Sequence, residues 1–228
     1  MRVGKYFDAS RIYENSFYRS YIASFVQNRK KRFLFRLIKR TFDLVASLLL
    51  LLLLSPVFLI LAIAVKLDSK GPVIFRQQRV GKDGKPFTCL KFRSMLVTAP
   101  SELSTSQFRN AGLYLTRVGK FMRKHSLDEL PQLWCVFIGK MSFIGYRPLI
   151  PSESECNGMR RRLGVFSMRP GISGYAQVSG RDDLYYKNKA ILDAEYVKHA
   201  SVLLDLKLLW CTLFVVLSKK GNHIPQRS

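Results

Sequence analysis

Acidic residues are scarce in this chain, which carries 15 Asp and Glu against 38 Lys and Arg over 228 residues, for a formal charge of +23. A balanced, self-paired surface is therefore excluded, and some anion must meet the excess: nucleic acid, anionic lipid and phosphorylated substrates all qualify. The four cysteines, Cys89, Cys135, Cys156 and Cys211, form no CxxC pair and no cluster with the three histidines. That spacing argues against a zinc site and a disulfide framework and fits a reducing, cytosol-facing compartment. Internal repeats are missing, and the one low-complexity stretch is a run of leucines.

That run is the most conspicuous feature present. Residues 44 to 65 hold 22 consecutive uncharged, mostly apolar side chains, about 33 Å of helix, or roughly one bilayer core. It starts too late and runs too long for a signal peptide, and no small-residue cleavage pattern follows, so it reads as retained. Ser55 and Pro56 interrupt it near the middle. Pro56 has no amide hydrogen for the Leu52 carbonyl, so a helix here must kink or break, and the Ser55 hydroxyl is placed to satisfy freed backbone. The segment RKKRFLFRLIKR, residues 29 to 40, precedes the run with basic and apolar residues interleaved, a pattern suited to anionic headgroups. Lys66, Lys70 and six more Lys or Arg from Arg76 to Arg93 follow it. Positive charge on both flanks favours a re-entrant hairpin with both ends on the cytoplasmic face; a kinked transmembrane helix is the alternative that the residues alone leave open.

Beyond the run, strands are expected at about 73 to 79 and 86 to 92, turning at Asp83-Gly84. Leu130, Leu133, Trp134 and Phe137 recur at helical spacing, with Gly139 as the stop. Residues 201 to 217 are apolar but carry Asp205 and Lys207, which suits a helix lying at an interface or in the core. The expected organisation is an extension and basic segment over 1–43, a re-entrant hairpin over 44–65 and a catalytic domain over 66–228. Its class is α+β, mostly helical, with a short β-hairpin and interfacial amphipathic helices.

Two of the few acids adjoin each other in SLDEL, residues 126 to 130, within the basic surroundings of Arg117, Lys120, Arg123, Lys124 and His125. Ser126 with Glu129 three residues later matches a capping box, which would make the acids structural. Pro131, awkward inside a helix, points instead to a later helix start that leaves Asp128 in a less regular turn. A carboxylate held there can attack phosphorus or bind Mg2+, a hard cation that takes oxygen ligands. Arg123, Arg147, Arg169 and Arg181 offer forked donors for phosphate, and turns at Gly171, Gly174 and Gly180 could bring backbone amides to the same ligand.

Three stretches, residues 39–95, SLDELPQLWCVFIGKMSFIGYRP and MRPGISGYAQVSGRDD, resemble the bacterial sugar transferase family, the monotopic polyprenyl-phosphate phosphoglycosyl transferases. The likeness runs from about Lys39 to the C-terminus and leaves out residues 1–30. It implies transfer of a sugar 1-phosphate from a UDP-sugar to undecaprenyl phosphate at the bacterial inner membrane, with UMP released and Mg2+ used. It further implies Asp128 as nucleophile with Glu129 beside it, both as candidate metal ligands. Ser55 and Pro56 become the re-entrant break, and Arg147, Lys91 and Arg93 become phosphate contacts. Anionic lipids are the remaining expected partners, a homodimer is left open, and nucleic acid is not expected because the basic residues adjoin apolar segments. The chain departs from the family pattern at Cys135, Lys140 and Tyr146, where Asn, Asp and Pro are usual, which puts local ordering and substrate preference in question.

Overall fold

A computed structural model describes residues 29–100, 111–180 and 185–217. The first helix, α1 (Arg29–Leu53), merges the basic segment and the first half of the leucine run. At Leu54 the backbone leaves helical geometry, and α2 (Ser55–Asp68) begins with Pro56 in its first turn, where the absent N–H costs nothing. The Ser55 hydroxyl donates to the Leu52 carbonyl at 2.8 Å, the group that proline leaves without its amide donor. The two helices are bent by 62°, so as a pair they have the length and composition of a broken span or a re-entrant loop. Among the described residues, no single helix is long and apolar enough to cross a membrane.

Both ends of this bent pair are fastened to the rest of the chain. On α1, the Arg40 guanidinium donates to the Val136 and Phe137 carbonyls, each at 2.7 Å. Asp43 accepts from the Ser142 hydroxyl and the Phe143 amide, each at 3.1 Å. On α2, Leu61 and Val65 are buried with Phe92 and Met122. The Asp68 carboxylate accepts from the Val118 amide at 2.9 Å.

Strands β1 (Ile74–Val80) and β2 (Pro86–Phe92) pair antiparallel, with Phe75 opposite Lys91 and Gln77 opposite Cys89. The first strand lies one residue later than expected, with Val80 paired to Pro86 and its amide bonded outside the sheet to the Leu149 carbonyl at 2.9 Å. The turn spans Gly81 to Lys85 and places Asp83 and Gly84 at φ 59° and 72°, the left-handed region that Asp and Gly tolerate. Helix α3 (Arg117–Lys124) starts at Thr116, whose hydroxyl accepts from the Gly119 amide, as an N-cap should.

A single turn at Leu127–Glu129 leads into α4 (Gln132–Phe137), which closes before Gly139 at φ 78°. β3 (Ser142–Ile144) runs parallel to β4 (Gly171–Ser173), a long-range pair with no local signature in the sequence. The remaining helices are α5 (Ser154–Arg162), α6 (Tyr175–Ser179), α7 (Tyr186–His199) and α8 (Val202–Leu217). The largest core gathers Ile144, Tyr146, Met159, Val165, Ile191 and Tyr196. On α8, Leu208 is buried while Leu203, Trp210 and Phe214 are exposed, so the helix joins the core along one edge and presents apolar side chains outward along another. The architecture is the mostly helical α+β arrangement expected, with two short sheets rather than one.

Candidate active site

The acidic pair sits at the junction of α3, β2 and the segment after β3. Ser126 has φ 56° and makes no side-chain capping bond, which corrects the capping-box reading. The left-handed residue swings the chain out of α3, and the acids occupy a tight turn before α4 can start at Gln132. Asp128 is buried and Glu129 largely so. Glu129 Oε1 accepts from Lys91 Nζ at 2.8 Å and Arg147 Nη2 at 3.0 Å. Burial opposes its ionisation, but Arg147 and Lys91 outweigh burial and hold the carboxyl well below its usual range. Asp128 is pushed the other way, chiefly by burial and further by Glu129, against the pull of Lys91, Arg123 and Arg147. Adjacent carboxyls in unlike surroundings suit unlike duties.

Arg123 belongs here as well: its Nε donates to the Ser94 hydroxyl at 2.8 Å, and its partly desolvated guanidinium is drawn towards Asp128 and Glu129. Arg79 was not foreseen. It donates to Gln77 Oε1 and to the Pro148 carbonyl, each at 2.9 Å, and lies near Arg147 and Glu129. The alternation along Phe75, Gln77 and Arg79 on one face of β1 was the available signal. Arg76, Gln77, Arg79, Lys91 and Arg123 line a cleft of about 570 Å³ whose other walls include Ile74, Met95 and Leu96. A pocket lined by both basic and apolar side chains can take an anion attached to a less polar group.

Other expected contacts are not brought to the acidic pair. Arg93 is buried and donates to the carbonyls of Val65, Ser69 and Lys70, at the C-terminal end of α2; although it borders the cleft, its work is to close that helix. The Arg169 Nε donates to the Gly139 carbonyl at 2.8 Å, and its charged neighbours include Arg40, Asp43 and Arg36. Gly171 and Gly174 serve the close approach of β4 to β3: a Cβ would lie 2.1 Å from the Gly145 amide nitrogen and 1.9 Å from the Gly145 carbonyl oxygen. Arg181 and Gly180's following segment lie outside the described residues, as do residues 1–28.

The three departures have distinct settings. Lys140 is exposed. Cys135 is buried behind β2, with its thiol 3.8 Å from the Thr88 carbonyl and pushed up to about 11 by burial, which leaves it a packing residue. Tyr146 is buried against Phe166, ring to ring at 5.4 Å.

Among the described residues no group of three or more His, Cys, Asp or Glu gathers for a metal. Two adjacent carboxylates are still sufficient for Mg2+, which characteristically takes one or two and completes its shell with water and substrate phosphate.

Residues 34–219 match the profile of a family described as Bacterial sugar transferase. The chain is 43% identical over 188 residues to the UDP-glucose:undecaprenyl-phosphate glucose-1-phosphate transferase of Escherichia coli K12, covering 78% of this chain and 40% of that protein. It is 41% identical over 216 residues to the UDP-galactose-lipid carrier transferase of Erwinia amylovora, covering 87% and 44%. Against the exopolysaccharide production protein ExoY of Rhizobium meliloti it is 35% identical over 201 residues, covering 81% and 88%. The chain thus spans under half of the two longer relatives and most of the shorter one. With four-fifths of its length inside the matched region, and the acidic pair, Lys91 and Arg147 assembled within it, the chain belongs to the bacterial sugar transferase family.

Proposed function

We propose that this chain transfers a sugar 1-phosphate from a UDP-sugar to undecaprenyl phosphate, releasing UMP, and so starts assembly of a bacterial surface glycan. The observation that carries the reading is the buried Asp128–Glu129 turn, with Glu129 held by Lys91 and Arg147, in a chain of this family. In the first step an Asp128 carboxylate oxygen attacks the sugar-bearing phosphorus of the diphosphate. The bond from that phosphorus to the bridging oxygen breaks, and UMP leaves with the oxygen and its electrons. In the second, an oxygen of undecaprenyl phosphate attacks the aspartyl phosphosugar, the bond to Asp128 breaks, and undecaprenyl diphosphate sugar is formed. Two displacements replace one difficult meeting of three charged groups.

Glu129 stays ionised and draws Lys91 and Arg147 together beside Asp128, so that their positive charge can meet incoming phosphate. Arg123 and Arg79 add positive charge along the cleft. Asp128 and Glu129 would hold Mg2+, which supplies charge neutralisation on the diphosphate and departing UMP.

The acceptor phosphate is at headgroup level, and the bent helix pair suits that site. Its two ends, at Arg40 and Asp43 on one side and Asp68 on the other, are bonded to the same body. A re-entrant hairpin keeps both ends on one membrane face, and the basic flanks select the cytoplasmic face of the inner membrane. The exposed apolar side chains of α8 would lie against the same leaflet.

The test is purified protein with undecaprenyl phosphate, Mg2+ and UDP-glucose or UDP-galactose, scoring UMP and lipid-linked sugar. Formation of both, with a phosphosugar trapped on wild type but not on Asp128→Asn, is the expected result. UMP without a lipid-linked product would replace transfer with hydrolysis. Topology is checked by thiol labelling of Arg36→Cys and Lys70→Cys in a background lacking the native cysteines; labels on opposite faces would refute the hairpin.

A further inference from the structure

The residue that reaches Glu129 belongs to a segment with no regular structure. Residues 146–149 form neither helix nor strand, yet each of four successive carbonyls accepts a bond from outside the segment, the donors coming from β1, α5 and β4. The Gly171 amide donates to Tyr146 O at 2.8 Å and the Val80 amide to Leu149 O at 2.9 Å. Arg79 Nη1 donates to Pro148 O at 2.9 Å and Arg160 Nη1 to Arg147 O at 2.8 Å. Arg160 comes from α5, and its other terminal nitrogen donates to Asp193 Oδ2 on α7 at 2.5 Å. Both side chains are 1% exposed. The Arg160 guanidinium also lies 5.3 Å from the centre of the Tyr146 ring.

A fully buried ion pair is a poor way to gain stability, because desolvation offsets most of the attraction and apolar packing of equal volume often does as well. This pair does something that packing cannot: Asp193 occupies one arm of a planar fork and leaves the other arm aimed at a single carbonyl. A lysine could hold Asp193 or the carbonyl but lacks the rigid fork that meets both.

We infer that Arg160 and Asp193 are positioning residues for the transferase, clamping the Arg147 backbone from the core side so that its guanidinium meets Glu129. The inference rests on the proposed reaction for its kinetic consequence, whereas the clamp itself is independent of substrate. Arg79 closes the segment from the cleft side and Arg160 from the core side. Between them the Arg147 Cα has little freedom, and only its side chain, 35% exposed, faces the site.

The test compares Arg160→Lys with wild type, Arg147→Gln and the double variant, using UDP-glucose and UDP-galactose with undecaprenyl phosphate. Loss of the clamp should lower kcat/KM for UMP release roughly 10- to 100-fold, the scale of a misplacement of about 1 Å in a catalytic group. Arg160→Lys placed on Arg147→Gln should lower activity less than about twofold further, because the residue being positioned has gone. A full additional loss in the double variant would overturn the inference. Amide hydrogen exchange on the same proteins needs no turnover. Peptides containing Val80 and Gly171, whose amides bond into 146–149, should exchange at least about tenfold faster in Arg160→Lys, with α1, α2 and α8 unchanged. Equal acceleration everywhere, or none at Val80 and Gly171, would make the pair merely structural. Asp193→Asn should reproduce the pattern if it folds. If wild type transfers neither sugar, the proposed reaction is in question while the exchange result still decides the clamp.

Discussion

Arg147 and Arg93 are both in sequence segments that resemble phosphate-binding motifs, and they make opposite kinds of contact. Arg147 meets a carboxylate, Glu129, in the acidic turn, 3.0 Å away. Arg93 is buried and its donors go to three carbonyls at the end of α2. Arg40 behaves like Arg93, closing the end of α4 through Val136 and Phe137. A cation at a helix C-terminus satisfies carbonyls that have no intrahelical donor and opposes the negative end of the helix dipole. In a chain of charge +23, the number of arginines near a motif therefore says little about phosphate. What decides is the partner that holds the fork: backbone carbonyls at a helix end for Arg93, a carboxylate of the acidic turn for Arg147.

The comparison is broken most severely through the nucleophile. Asp128→Asn should abolish lipid-linked sugar formation, a fall of roughly 10⁴-fold or more, with the melting temperature close to wild type; wild-type turnover in protein free of host enzyme would refute the assignment. Chelation of divalent ions should reduce turnover by about 10³-fold, the scale of removing charge stabilisation worth several kcal/mol. Mg2+ should restore it, and activity that survives exhaustive chelation would remove the metal from the scheme.

Arg147→Ala and Arg93→Ala sharpen the contrast directly. The first should cost about 10² to 10³ in kcat, as loss of one oriented donor to developing charge does, while unfolding in denaturant changes little. Arg93→Ala should show the reverse: about 3 kcal/mol of stability lost, because several buried carbonyls lose a charged donor, and near-normal turnover in the fraction that stays folded. If Arg93→Ala proves stable but inactive, it contacts substrate, and the division between the two arginines fails.

Local features of this molecule were readable before its structure. The Ser-Pro break follows from a missing amide and a nearby hydroxyl, and both act within four residues. The β1–β2 hairpin follows from alternation and the Asp83-Gly84 turn. Pro131 correctly implied an irregular turn at Asp128, whereas Ser126 misled, because a left-handed serine and a capping serine are the same letter. The long-range features were illegible for a common reason. The β3–β4 pair, the seat of Arg79 and the Arg160–Asp193 clamp depend on which distant backbone arrives, and a three-residue strand or a single arginine carries no periodicity. Gly171 and Gly174 show the same limit: small size was legible, but whether a ligand or the Gly145 backbone needed the space was not.

The smallest expected effect is at the bend, and it distinguishes the two residues that make it. Ser55→Ala removes the donor to the Leu52 carbonyl but leaves Pro56 to forbid the normal helical bond. The cost should be about 1 kcal/mol, the net worth of one neutral hydrogen bond. The bend itself should persist, because the ring of Pro56 and the contacts of Asp43 and Asp68 remain. Pro56→Leu restores the amide and relieves the steric reason to bend, so α1 and α2 are free to continue as one helix. A straight helix of that length would carry Asp68 away from the Val118 amide while Asp43 stayed at Phe143. Thiol labelling at residues 36 and 70 in the two variants reads the difference: both sites on one face in Ser55→Ala, and a loss of the shared face in Pro56→Leu only if proline, rather than the domain's grip on both ends, holds the bend.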